Sequence, residues 1–251
     1  MKRILPSIAA LLFLLPSLAA AGSLTVAVAA NVQYAFDDLK AAFTAETGHD
    51  IKPVYNSSGK FTAQVMNGAP FDVFLSADME YPETLYKAGF AAAPPRVYAY
   101  GALVLWTMHK VDLTNWQDLL ARPAMAKIAV ANPKTAPYGR ETMKALAHFG
   151  LADALRPKLV FGESISQTNQ YIHSRTADAG FTAKSVVVSP EMIGRGTWID
   201  LPKDSYQPIA QGIVVLRHGQ RNNAKLAQQF HDFVLSPKAR VILERYGYLL
   251  P

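Results

Sequence analysis

Four segments bring together small polar residues, glycine and exposed backbone in the pattern from which a binding or catalytic centre can be built: AVAAN at 27–31, YNSSG at 55–59, ANPKTAPYG at 131–139 and FGESIS at 161–166. Each closes an apolar, strand-like run and opens into helical periodicity. The first backbone N–H groups of a helix have no partner inside it and its macrodipole is positive there, so such a junction holds an anion without a charged side chain. Several of them converging on one cleft would make an oxyanion receptor. A second chemistry uses the same residues. Ser57-Ser58-Gly59-Lys60 fits S-x-x-K, and Lys134-Thr135-Ala136 comes within one residue of K-T-G, which together suggest an exported serine acyl-transferring enzyme. No S-D-N and no G-x-S-x-G elbow accompany them. The histidines at 49, 109, 148, 173, 218 and 231 are dispersed and none forms H-x-x-x-H, so metal chemistry finds no ligand set. Walker and dinucleotide fingerprints are absent, and no cofactor is implied.

Each residue in these segments also has a plain structural reading. Ser58 fits a helix N-cap, a role with the same geometry as anion contact, and Asn31 fits one too. Tyr138 reads as a core aromatic except for its place after Thr135-Ala136-Pro137 and before Gly139, and Ile165 reads as a hydrophobic staple. Lys60 and Arg140 read as solvated first-turn cations that can steer anions toward a cleft.

The elements that must position these segments alternate. Strands are expected at Leu24–Ala29, Ile51–Tyr55 and Phe71–Ser76, with helices at Val32–Thr47, Lys60–Asn67 and Pro82–Ala88 between and after them. This βαβαβα order predicts an α/β fold with a mostly parallel sheet. After AAAPPR the pattern changes to a long apolar run, Val97–Met108, matched late in the chain by Tyr206–Leu216. A second α/β set lies between: strands Ile128–Ala131, Leu159–Phe161 and Ala179–Thr182, and helices Arg140–Phe149 and Gln167–Ser174. Helices Asn223–Leu235 and Pro237–Arg245 follow the second run. Two crossings imply two lobes on a two-strand hinge, lobe 1 formed by 22–99 and 213–251 and lobe 2 by 100–212. No internal repeat is evident.

Lys2 and Arg3, the apolar stretch Ile4–Leu18 and Ala19-Ala20-Ala21 have the three parts of a secretory signal, 1–21, with cleavage after Ala21. The apolar stretch is shorter than the roughly 20 residues of a spanning helix. The expected mature protein is soluble and periplasmic. Without cysteine it depends on its core, and about 230 residues suffice for a large domain or two smaller ones. Lys and Arg number 25 against 19 Asp and Glu, a scattered excess giving a weak bias toward anions; no basic stripe interleaved with aromatics suggests nucleic acid.

NPKTAPYGRET at 132–142, GESISQTNQYI at 162–172, SSGKFTAQVMNGAPFDVFLSAD at 57–78 and ARVILERYGY at 239–248 resemble the periplasmic molybdate-binding proteins of ABC importers, in order and over essentially the whole mature chain. The resemblance implies a two-lobed periplasmic binding protein fold of type II. It implies a monomeric receptor for molybdate or tungstate that serves a membrane permease and does no chemistry. Sulfate, phosphate and chromate are the alternative oxyanions. It puts Asn31 and Ser58 of lobe 1 and the backbone amides of Tyr138 and Ile165 of lobe 2 at the ligand, as contacts to oxyanion oxygens rather than to the metal. Ala30, Ser57, Gly59, Lys60 and Arg140 are their neighbours. Asn31 and Tyr138-Gly139 are similar to one variant of the family; where another carries a tyrosine, this chain has Ala183 followed by Lys184, so that contact is lost.

Overall fold

The computed structural model describes residues 22–251. The secretory-signal reading of 1–21, with Lys2, Arg3 and the cut after Ala21, lies outside the described residues.

The first half of the chain alternates as its periodicity predicts: β1 (Ser23–Ala29), a 3-10 turn (Ala30–Val32), α1 (Gln33–Thr47), β2 (Asp50–Asn56), α2 (Ser58–Met66), β3 (Val73–Leu75) and α3 (Glu80–Lys87). Gly48 ends α1 in the left-handed conformation, at φ 72°, where its amide caps the Thr44 carbonyl. The apolar run splits into β4 (Arg96–Gly101) and β5 (Leu103–Thr107). Then follow α4 (Trp116–Ala121), β6 (Ile128–Ala131), α5 (Pro137–His148), α6 (Ala152–Leu155), β7 (Leu159–Gly162), α7 (Ile165–His173), β8 (Ala179–Ala183), α8 (Lys184–Val187) and β9 (Thr197–Asp200). β10 (Ile209–Val215), α9 (Arg217–Asn222), α10 (Ala224–Val234) and α11 (Pro237–Arg245) complete the chain. Four helices begin two or three residues earlier than periodicity indicates: α2, α5 and α7, where proline or serine opens the helix before the first apolar position of the stripe, and α3, which starts at Glu80 rather than Pro82. The elements α4, α8, α9 and β9 are too short to carry a period of their own.

The strands form two five-stranded sheets, ordered β2-β1-β3-β10-β4 and β7-β6-β8-β5-β9. β1 runs parallel to β2 and β3, and β6 parallel to β7 and β8. A strand lying antiparallel to the trio completes each: β10 against β3 and β4, β5 against β8 and β9. Two α/β units of the same plan therefore share one chain, the two-lobed arrangement expected of a periplasmic binding protein. The chain passes from the first sheet to the second at Ala102, between β4 and β5.

Each sheet has its own core. In the first, Phe43 meets Phe230 edge to face, with ring centroids 5.2 Å apart, where α1 packs on α10. On the other face Phe61, Phe71 and Phe74 cluster under α2. In the second, Trp116 packs against Phe149 and Phe181. Among the described residues no helix is long and apolar enough to cross a membrane.

Candidate functional site

In both sheets the first and second strands of the parallel trio, β1 and β2 or β6 and β7, end at the junctions singled out in the sequence. Ligands of open α/β sheets bind beyond the carboxyl ends of parallel strands, where successive connections leave in opposite directions. The two trios put four such ends around one small cavity.

On the first sheet β1 gives way to the turn holding Ala30 and Asn31, and β2 to Ser57 and α2. Ser57 occupies the N-cap position of α2 in extended conformation, yet its side chain caps nothing. Its Oγ is buried and has no hydrogen-bond partner. Ser58, fully buried, accepts the Ala77 N–H at its Oγ (2.9 Å), and no residue among those described accepts its own proton. Both hydroxyls thus keep a proton to donate.

The second sheet presents backbone instead. Pro137 opens α5 and has no N–H, so the Tyr138 amide is the first the helix offers. Gly139 follows because a Cβ there would collide with the Ala131 carbonyl at the end of β6. In α7, Ser164 caps the Gln167 N–H at 3.4 Å, leaving the amides of Ile165 and Ser166 without a partner inside the helix.

Asn31, Ser58, Tyr138 and Ile165 line the same cavity, together with Ala30 and Ser57. No charged side chain lines it. Burial pushes the Tyr138 phenol well above its ordinary pKa, so that group stays neutral as well. A pocket of neutral donors suits a fully ionised anion: the site offers hydrogen atoms on every side and no counter-charge, and hydrogen bonds to an anion contribute about 1.5–3 kcal/mol each.

Gly59, Lys60 and Arg140 stand at the rim, where they join the two sheets' halves. The Gly59 amide donates to the Thr135 carbonyl (2.9 Å), Lys60 pairs with Glu163, and Arg140 pairs with Asp78 and, at 3.2 Å, with Glu80. Ser166 adds a bond to Gln33 (2.8 Å). Lys60 is thus a clasp across the cleft and not a base beside Ser57.

One set of residues escaped the sequence reading. The Asn31 side-chain amide donates to Gln211 Oε1 (2.9 Å) and the Tyr248 hydroxyl (3.2 Å), while the main-chain carbonyl of Asn31 accepts from the hydroxyls of Ser185 (2.7 Å) and Tyr248 (2.9 Å). Its side-chain donor is therefore committed, and its peptide N–H is the group left at the start of the turn. The one sequence signal for this cluster was a glutamine inside the apolar run QGIVV at 211–215.

The sequence model for the bacterial extracellular solute-binding proteins matches residues 24–249. The molybdate-binding protein ModA of Azotobacter vinelandii is 39% identical over 94% of this chain and 93% of its own. That of Rhodobacter capsulatus is 37% identical over 92% and 90%. The solved Azotobacter vinelandii periplasmic molybdate-binding protein superposes with a TM-score of 0.86 at 35% identity, covering 91% of this chain and 99% of that one. With two sheets of one plan facing a neutral cavity and a family match over nearly its whole length, this chain belongs to the bacterial extracellular solute-binding proteins.

Proposed function

We propose that this protein captures molybdate, and tungstate with it, in the cavity between its sheets and delivers it to the membrane permease of an ABC importer. The observation that carries this reading is a buried pocket of uncommitted donors without a single charge, in a chain whose relatives are molybdate-binding proteins. Ser57 and Ser58 would donate through their hydroxyls, and Asn31, Tyr138 and Ile165 through their amides. The two lobes would close on the anion, because contacts from both are available only in the closed form. The sequence draws them as 22–99 with 213–251 and 100–212; the strand pairing keeps Tyr100, Gly101 and all of β10 from Ile209, Gln211 included, with the first sheet. The protein would act as a periplasmic monomer released from its signal 1–21, without a cofactor and without catalysis. Against acyl transfer, Ser57 Oγ has no base beside it and Lys60 is paired with Glu163.

The melting temperature of the mature protein with a panel of oxyanions tests the reading. A ligand at roughly 1,000 times its dissociation constant adds about 4 kcal/mol of stability. Molybdate and tungstate should raise the melt strongly, and sulfate, phosphate and chromate little. A larger shift with sulfate would overturn the ligand assignment, and a covalent β-lactam adduct at Ser57 would revive the enzyme.

A further inference from the structure

Where the chain leaves the first sheet, a buried polar cluster sits directly on the crossing. Gln211, fully buried at a bulge in β10, binds three groups at once. Its Oε1 accepts from the Tyr98 hydroxyl (2.7 Å) of β4 and from Asn31 Nδ2 (2.9 Å); its Nε2 donates to the Tyr138 hydroxyl (3.1 Å) of α5. Two partners come from the first sheet's side and the third from the second's. At Gly101, the last residue before the crossing, a Cβ would fall onto the Tyr138 hydroxyl and 2.5 Å from Gln211 Nε2. The pair fills the space a side chain would take there.

Tyr138 thereby stands in two places. Its amide borders the cavity, and its phenol, at the far end of the same rigid residue, touches the strand about which the halves must move. Gln211 is anchored to the first sheet through β10, whereas Tyr138 travels with α5. Opening the cleft must separate them and leave buried polar groups short of a partner.

We infer that the Gln211–Tyr138 hydrogen bond couples the cavity to the hinge: Gln211 is a positioning residue that favours the closed form and, through Asn31, orients the turn on the first rim. This rests on the closure reading above, and it gives the Tyr138 phenol a role where the sequence pointed only to its amide.

Tyr138→Phe and Gln211→Met both remove the bond. In Gln211→Met two of the three partners stay satisfied, Asn31 Nδ2 by Tyr248 and Tyr98 by the Ser76 carbonyl (3.3 Å), and only the Tyr138 hydroxyl loses its bond, so folding should survive; Tyr138→Phe, which removes that hydroxyl, serves should it not. The chain has no cysteine, so Lys87→Cys and Asp153→Cys on opposite lobes accept a pair of spin labels without background. Each variant should release molybdate about 10-fold faster than the parent, the double variant no faster than either alone, and the ligand-free distance distribution should shift toward longer separations. Parent-like release with superimposed distributions overturns the inference, as does a double variant whose two effects multiply. Should molybdate fail to stabilise the parent, the ligand reading falls, and the ligand-free distributions alone decide the hinge bond.

Discussion

The two rims of the cavity reach the same end by different means. The first sheet brings hydroxyls: Ser57 leaves its helix uncapped and its Oγ unpaired, and Ser58 spends one lone pair on Ala77 while keeping its proton. The second sheet brings amides: Pro137 opens α5 without an N–H of its own, and Ser164 takes the Gln167 amide while those of Ile165 and Ser166 stay clear. Side chains on one rim can be deleted singly. Amides on the other can be altered only by moving backbone. The contrast teaches where a substitution should act on ligand alone and where it must act through the fold.

Two glycines give the largest expected effects and separate the rims cleanly. A Cβ at Gly139 collides with backbone of its own lobe, so Gly139→Ala should lower stability by about 3 kcal/mol or more in urea unfolding. At Gly59 a Cβ would lie 2.7 Å from the Tyr81 hydroxyl, the far end of a side chain of its own lobe that can swing aside, and 2.9 Å from Thr135 Cα, backbone across the cleft. Gly59→Ala should therefore leave ligand-free stability near the parent's and weaken molybdate binding by about 1–3 kcal/mol, since the clash with backbone arises only in the closed form. A ligand-free loss in Gly59→Ala as large as in Gly139→Ala would erase the distinction.

The two serines come next. Ser57→Ala removes a hydroxyl that bonds to nothing in the protein, so calorimetric titration should show molybdate affinity lower by about 1.5–3 kcal/mol with the ligand-free melt unchanged. Ser58→Ala should cost affinity similarly and, by stranding the Ala77 amide, about 1–2 kcal/mol of ligand-free stability as well. On the other rim Ile165→Val keeps the amide and should bind like the parent. Should Ile165→Val lose the ligand while Ser57→Ala keeps it, the rims have been assigned the wrong way round.

Why so much of this was legible follows from where each signal resides. The helix starts are local: an apolar run, then serine, proline or glycine, then a 3.6-residue period, all within a dozen residues. Hence the four junctions stood out, and so did the alternation of strands and helices. The equivalence of the two sheets was hidden, because it lies in strand order and direction, which β1 and β6 share without sharing residues. The Gln211 cluster was hidden for a related reason. Its members stand at 31, 98, 138, 185, 211 and 248; the first sheet gathers Asn31, Tyr98, Gln211 and Tyr248, and Tyr138 and Ser185 reach them from the second half. The rim pairs Lys60–Glu163 and Arg140–Asp78 likewise look like solvated cations until the halves meet.

Those rim pairs carry the smallest expected effects. Arg140 and Asp78 are partly buried, at 28% and 12% side-chain exposure, so Arg140→Ala should weaken molybdate binding by only about 1 kcal/mol, in calorimetry, with the ligand-free melt little changed.

Asp78 permits a signed test of the same clasp. Burial raises its carboxyl above the ordinary carboxylate range, more than the Tyr81 amide and Arg140 lower it. The folded protein therefore takes up this proton at a higher pH than the unfolded chain does. Its contribution to stability is greatest at acid pH and falls as pH rises through the folded pKa. Asp78→Asn cannot take up that proton. The melting temperature of the parent relative to Asp78→Asn, both saturated with molybdate, should thus improve as pH is lowered from about 7 toward 5. A difference moving the other way would mean that attraction to Arg140 outweighs burial, and that the ionised clasp is a stronger link between the rims than its exposure suggests.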